Sequence, residues 1–148
     1  MAKESGQTFQ SKEEFYEIMR PFCENLIRDP LLGSKFRDAK LTIRFIYSHP
    51  EGSVTADFAG PPPADGTYGA YSFDDTSLAP AVTMRQSADF SNRFWCGKAN
   101  LVSAMATRQV VASGSVQKAL ALVPLLRPAF ELYKKTLRDL GREDLIIP

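Results

Sequence analysis

Apolar residues recur along this chain with two different periods, and the switches between them lay out its elements. Phe15, Ile18, Met19, Phe22, Leu26 and Ile27 are spaced three and four apart, which predicts a helix with one apolar face. Ser11-Lys12-Glu13-Glu14 precedes them in the form of a capping box, with the Ser side chain taking a backbone N–H and a Glu reaching back. Pro21 should kink or split this helix, and Asp29-Pro30 with Gly33 should end it. From Lys40 the period falls to two. Leu41, Ile43, Phe45 and Tyr47 share one side, while Thr42, Arg44 and Ser48 share the other. After the turn chemistry of Ser48-His49-Pro50-Glu51-Gly52, Val54, Ala56 and Phe58 alternate with Thr55 and Asp57. The two runs predict an antiparallel hairpin with one buried face.

The Pro-rich stretch from Gly60 to Gly66 reads as a surface loop. Tyr68 to Phe73 fits either an edge strand or an aromatic loop. Ala81–Gln86 reads as a strand with Val82 and Met84 on one side. Ser87 can cap a helix carrying Phe90 and Phe94 that closes at Gly97. Lys98–Thr107 reads as a second short helix with Leu101, Val102 and Met105 inward, and Gln109–Ser113 as the last strand. Ser115 then opens a long helix with Val116, Leu120 and Val123 as its first stripe. Pro124 and Pro128 kink or break it, Leu125, Ala129, Leu132, Tyr133 and Leu137 continue the stripe, and Gly141 ends it. Strands and helices do not alternate as in a doubly wound fold. The expected class is α+β: a mostly antiparallel sheet of four or five strands, covered on one face by helices. Residues 1–10 read as a flexible leader and 11–148 as a single domain.

Composition narrows the function classes. The 148 residues are 44% apolar and 24% charged, with a net charge of +1 and the two signs interspersed along the chain. That pattern carries neither the clustered basic run of a nucleic-acid binder nor a polybasic membrane anchor. The two cysteines, Cys23 and Cys96, form no CxxC pair and no disulfide framework. The polar start lacks a signal-peptide core, no apolar run reaches the length of a membrane span, and the closing LIIP matches no targeting signal. A cytoplasmic location is the expectation.

One stretch carries a resemblance. Thr83-Met84, then Asp89-Phe90, then Gly97-Lys98-Ala99-Asn100, then Ser103-Ala104, then Gly114 resemble, in order and spacing, the core of the sterol carrier protein domain family. Ala119, Leu120 and Leu122 stand where that family has small and apolar residues. The detailed similarity covers residues 82–125, and the order of elements extends it to 11–140. The resemblance implies an apolar tunnel between sheet and helices that binds a fatty acyl chain, acyl-CoA, sterol or similar lipid without chemistry. The bulky apolar residues fit such a role in kind. The candidate lining is Phe45, Phe58 and Met84 on strands, Phe90, Phe94 and Trp95 on one helix, Leu101 and Met105 on the next, and Leu122, Leu126 and Phe130 near the end. Taken singly, each of these is more often plain core.

Candidate chemistry is sparse. The lone histidine, His49, precedes Pro50 in a turn, and one histidine with two isolated cysteines makes no zinc site. No cofactor is expected. Cys96 reads as an inert buried thiol. Asp89 suits a helix start, and Lys98 and Arg108 read as solvated charges able to meet an acidic head group. The rival reading is a small isomerase-like enzyme acting on an apolar substrate through Asp57 with Tyr47 or Tyr71. A third is an assembly surface, with Tyr68–Phe73 as the edge of a homodimer.

Overall fold

The computed structural model describes residues 8–61, 63 and 65–148. In chain order the elements are α1 (Lys12–Arg28), α2 (Pro30–Asp38), β1 (Thr42–Ser48), β2 (Gly52–Asp57), β3 (Ala70–Phe73), β4 (Val82–Ser87), α3 (Ala88–Trp95), α4 (Leu101–Ala106), β5 (Val111–Gly114), α5 (Val116–Leu120) and α6 (Arg127–Asp139). Short 3-10 turns occupy Val123–Leu125 and Glu143–Leu145. The fold class is α+β. One five-stranded sheet runs in the order β3-β2-β1-β4-β5. Every neighbouring pair is antiparallel except β1 and β4, which lie parallel with Phe45 opposite Met84 and Tyr47 opposite Gln86.

The period-two pattern decides which face is buried. Ile43 and Tyr47 of β1, Val54 of β2 and Val82 and Met84 of β4 are all buried and point to the helices. Arg44, Ser53 and Arg85, in the alternate positions, line an open groove on the other face. Tyr71 and Phe73 make β3 a true edge strand whose aromatic rings turn inward. Phe73 lies 4.3 Å from the Tyr16 ring, and the Tyr71 hydroxyl donates to Glu24 Oε1 at 2.8 Å.

Local chemistry sets the helix ends. Ser11 Oγ accepts from Glu14 N at 3.0 Å, and Glu14 Oε1 reaches back one residue further than a capping box requires, to Gln10 N at 2.7 Å. Pro21 does not split α1, which runs unbroken on both sides of it. Asp29-Pro30 does not end the segment either. Asp29 Oδ2 accepts from Leu32 N at 2.8 Å and Pro30 occupies the first turn, so the pair starts a second helix. Val102, expected inward, is 64% exposed, because the six-residue α4 buries Leu101 and Ala104 and half-buries Met105, which leaves Val102 on the outer side. The expected long last helix is three pieces, α5, a 3-10 turn and α6, and the Ser115 side chain caps none of them.

Residues 1–7 of the expected leader lie outside the described residues, but its last three belong to the domain. Phe9 is fully buried against Phe15, with ring centroids 4.9 Å apart, and Thr8 N donates to Asp89 Oδ1 at 2.8 Å. Pro62 and Ala64 of the Pro-rich loop also lie outside the described residues. A buried polar layer ties the helices together. The Tyr133 hydroxyl donates to Asn92 Oδ1 at 2.6 Å, Asn92 Nδ2 to the Leu145 carbonyl at 3.0 Å, and Asn25 Nδ2 to Thr136 Oγ1 at 3.0 Å.

Candidate functional site: an apolar cavity between sheet and helices

Between the inner face of the sheet and the helices lies a cavity of about 100 Å³. The sheet provides its floor: Ile43 and Phe45 from β1, Val54 and Ala56 from β2, Met84 and Gln86 from β4. Helix α3 provides Phe90, Phe94 and Trp95, and Leu101 comes from the start of α4. Phe94 stacks near-parallel on Phe90 at 6.2 Å and meets Trp95 edge-on at 5.0 Å, so the three rings form one rigid wall. Ser87 sets that wall by accepting from Phe90 N at 3.0 Å, which fixes the first turn of α3 at the end of β4.

Nine of the eleven residues expected to line a binding site border this cavity: Phe45, Phe58, Met84, Phe90, Phe94, Trp95, Leu101, Leu122 and Leu126. Met105 and Phe130 do not. Met105 packs half-buried against the core, and Phe130 backs the wall from outside, 5.5 Å from Phe94 and 6.3 Å from Trp95. The sequence reading missed the contribution of α1. Met19, Phe22, Cys23 and Leu26 all border the cavity, as do Phe36 of α2 and Val123. Their helical spacing was visible, but it is the same spacing that any core-facing stripe shows. Only the position of α1 across the sheet distinguishes the two.

Few polar groups reach the cavity. Gln86 is the one amide in the lining; it is 6% exposed and its carboxamide makes no hydrogen bond among the described residues. Burial pushes the Cys23 thiol up to about 12, so it is protonated at neutral pH. Beside this wall, burial also holds the Tyr47 phenol well above its ordinary value, with Cys23 adding to the effect. The Tyr47 hydroxyl faces Ser91, yet neither oxygen has a hydrogen-bond partner of normal geometry. Cys96 is buried too, and desolvation raises its thiol while Sγ lies 3.7 Å from the Leu145 carbonyl.

The pair proposed for isomerase chemistry is not assembled. Asp57 sits in the outward-facing register of β2, where Oδ1 accepts from Ala59 N at 2.9 Å and Gly60 N at 3.0 Å. Tyr47 and Tyr71 belong to the inward face, and Asp57 does not border the cavity. Among the described residues no group of three or more His, Cys, Asp or Glu could hold a metal ion. Nor is any helix among them long and apolar enough to cross a membrane.

No protein-family model and no curated protein sequence matches the chain. Solved structures do. Sterol carrier protein domain 2 of Helicoverpa armigera superposes with a TM-score of 0.61 at 17% identity, over 88% of this chain and 96% of that one. Sterol carrier protein 2 from Yarrowia lipolytica, in its apo form, gives 0.55 at 17% identity over 80% and 89%. A sec-alkylsulfatase from Pseudomonas gives 0.50 at 14% identity over 72% of this chain but 15% of its own length. At these identities the likeness is one of fold: the chain has the sterol carrier protein fold.

Proposed function

We propose that the protein binds and carries a lipid-like molecule in the apolar cavity and performs no chemistry on it. The observation that carries this reading is a space lined by hydrocarbon and aromatic side chains, with Gln86 as the one amide among the described residues around it. Ordinary cores are packed to crystal density and leave few voids larger than a water. The relatives in fold named as sterol carrier proteins support the same reading. Among the described residues the lining holds no titratable side chain other than a protonated thiol, which favours a carrier over an enzyme. Met19 and Met84, flexible and polarizable, let the wall adapt to more than one apolar shape.

The volume says how binding works. Pockets for small molecules run about 300–1,000 Å³, so a cavity of about 100 Å³ has to widen before it takes a whole ligand. The wall that can yield is the segment from α5 to the start of α6. It supplies Ala119, Leu122, Val123 and Leu126, and none of its three helical pieces has a side-chain cap. Short uncapped pieces separate from a core at less cost than a fifteen-residue helix does.

The test uses Trp95, the single tryptophan, which stands in the cavity wall. Native mass spectrometry of the purified protein should show a bound apolar adduct, and cis-parinaric acid should change Trp95 emission with a micromolar midpoint. A chain that carries no adduct and leaves Trp95 unmoved by any long-chain ligand would overturn the proposal.

A further inference from the structure

Two recesses meet at the C-terminal end of β4. One is the apolar cavity. The other is the groove on the helix-free face of the sheet, with a volume of about 890 Å³. Among the described residues its lining includes Arg44, Arg85, Arg93 and Arg108 against a single acid, the exposed Glu51. The chain's net charge is only +1, so the fold has gathered onto one face a positive charge that the sequence disperses. Gln86 and Phe90 border both recesses, so these two side chains are the partition between them.

The arginines around that partition differ in what they already hold. Arg44 is committed: it donates to Thr55 Oγ1 at 2.8 Å and to the Leu78 carbonyl at 2.6 Å. Arg93 lies directly outside the partition, its guanidinium 5.6 Å from the centre of the Phe90 ring. Among the described residues its side chain makes one hydrogen bond, long and exposed, to Gln109 Oε1 at 3.3 Å. Arg85, the strand residue before Gln86, is exposed, and its side chain has no hydrogen bond or ion pair among the described residues.

We infer that the ligand is a single-chain amphiphile with an anionic head, a carboxylate or a phosphate monoester. Its tail lies in the cavity, and its head emerges past Gln86 and Phe90 to be held by Arg93 and Arg85. This rests on the cavity being the binding site proposed above. A carboxylate left inside the cavity would have one amide to replace its hydration, and a buried unpaired charge is strongly disfavoured. In the adjoining groove the guanidinium groups of Arg93 and Arg85 offer charge-assisted hydrogen bonds in contact with water. At the threshold the unpartnered Gln86 amide donates to the first oxygen of the head. Phe90 closes the apolar side, and its ring needs only to rotate for the chain to thread past.

The experiment is titration of the full, delipidated chain with dodecanoic acid, dodecyl phosphate, 1-dodecanol and inorganic phosphate, read by Trp95 fluorescence. The two anionic amphiphiles should bind about tenfold or more tighter than the alcohol, the size expected for a charge-assisted bond. R85Q/R93Q should remove that advantage and leave alcohol binding unchanged, while R85K/R93K restores part of it. K135Q/R138Q in the second half of α6, with the same change in net charge, should have no effect. Inorganic phosphate should leave Trp95 unmoved, which separates a lipid head group from a free anion. Equal affinity for acid and alcohol, or a double variant that keeps the acid's advantage, overturns the head-group assignment and leaves the cavity reading standing. If neither acid nor alcohol binds, the cavity reading falls and this one with it.

Discussion

Cys23 shows how one side chain reports on the whole site. It projects from α1 into the cavity wall, buried, and desolvation lifts its thiol to about 12. Only the thiolate reacts with a disulfide reagent. At pH 8 the thiolate is then on the order of one part in ten thousand, and it should grow tenfold with each pH unit. In a C96S background, labelling by Ellman's reagent should therefore accelerate about tenfold per unit between pH 7 and 10 without a plateau. An ordinary thiol levels off above pH 8.5–9. Saturating apolar ligand should slow the reaction further by occupying the space the reagent must cross. A plateau below pH 9 would mean that Cys23 is wetter than the fold implies.

At the scale of elements, Asp29 does two jobs that sequence signals describe in opposite ways. Its backbone ends α1, with Asp29 N bonded to the Asn25 carbonyl at 3.0 Å, and its carboxylate starts α2. Asp29→Ala should cost about 1 kcal/mol, read as a lower urea midpoint at unchanged slope. The loss should fall on α2, so Phe36 and its wall of the cavity should loosen first, seen as faster amide exchange over 30–38. The same residue explains what sequence could and could not deliver. Alternation at Leu41, Ile43, Phe45 and Tyr47 named the inner face of the sheet because a strand has only two sides. Asp-Pro, by contrast, is a stop signal for one helix and a start signal for the next, and nothing local separates the two. Ser115 looked like a cap, but its φ/ψ of −78°, 62° after Gly114 leaves its hydroxyl out of reach of the helix N–H groups. The arginine groove was the least legible feature. Arg44, Arg85, Arg93 and Arg108 are up to 64 positions apart and are neighbours only because β4 pairs with β1 and with β5.

For the whole molecule the question is why a chain of this size tolerates a hole. A void of about 100 Å³ costs roughly 2.4 kcal/mol at about 24 cal/mol per Å³, a substantial share of the roughly 5–15 kcal/mol by which domains are stable. If the space were a packing defect, filling it would improve the protein and harm nothing. If it is a binding site, filling it should separate stability from function. Ala119 is the residue to use. It is 8% exposed on α5, borders the cavity and sits in a helix, where leucine is nearly as favourable as alanine. Ala119→Leu should place three more carbons in the void and raise stability by about 1–2 kcal/mol, or a few degrees in melting temperature. It should also weaken binding of a twelve-carbon ligand by on the order of tenfold, because the tail then has to displace a side chain that already fits. Denaturant unfolding and the Trp95 titration on the same sample decide the matter. A gain in stability with unchanged ligand affinity would show that the tail lies elsewhere. A loss of stability would show that the inner face of α5 is packed too tightly to move, and with it would go the opening segment on which ligand uptake depends.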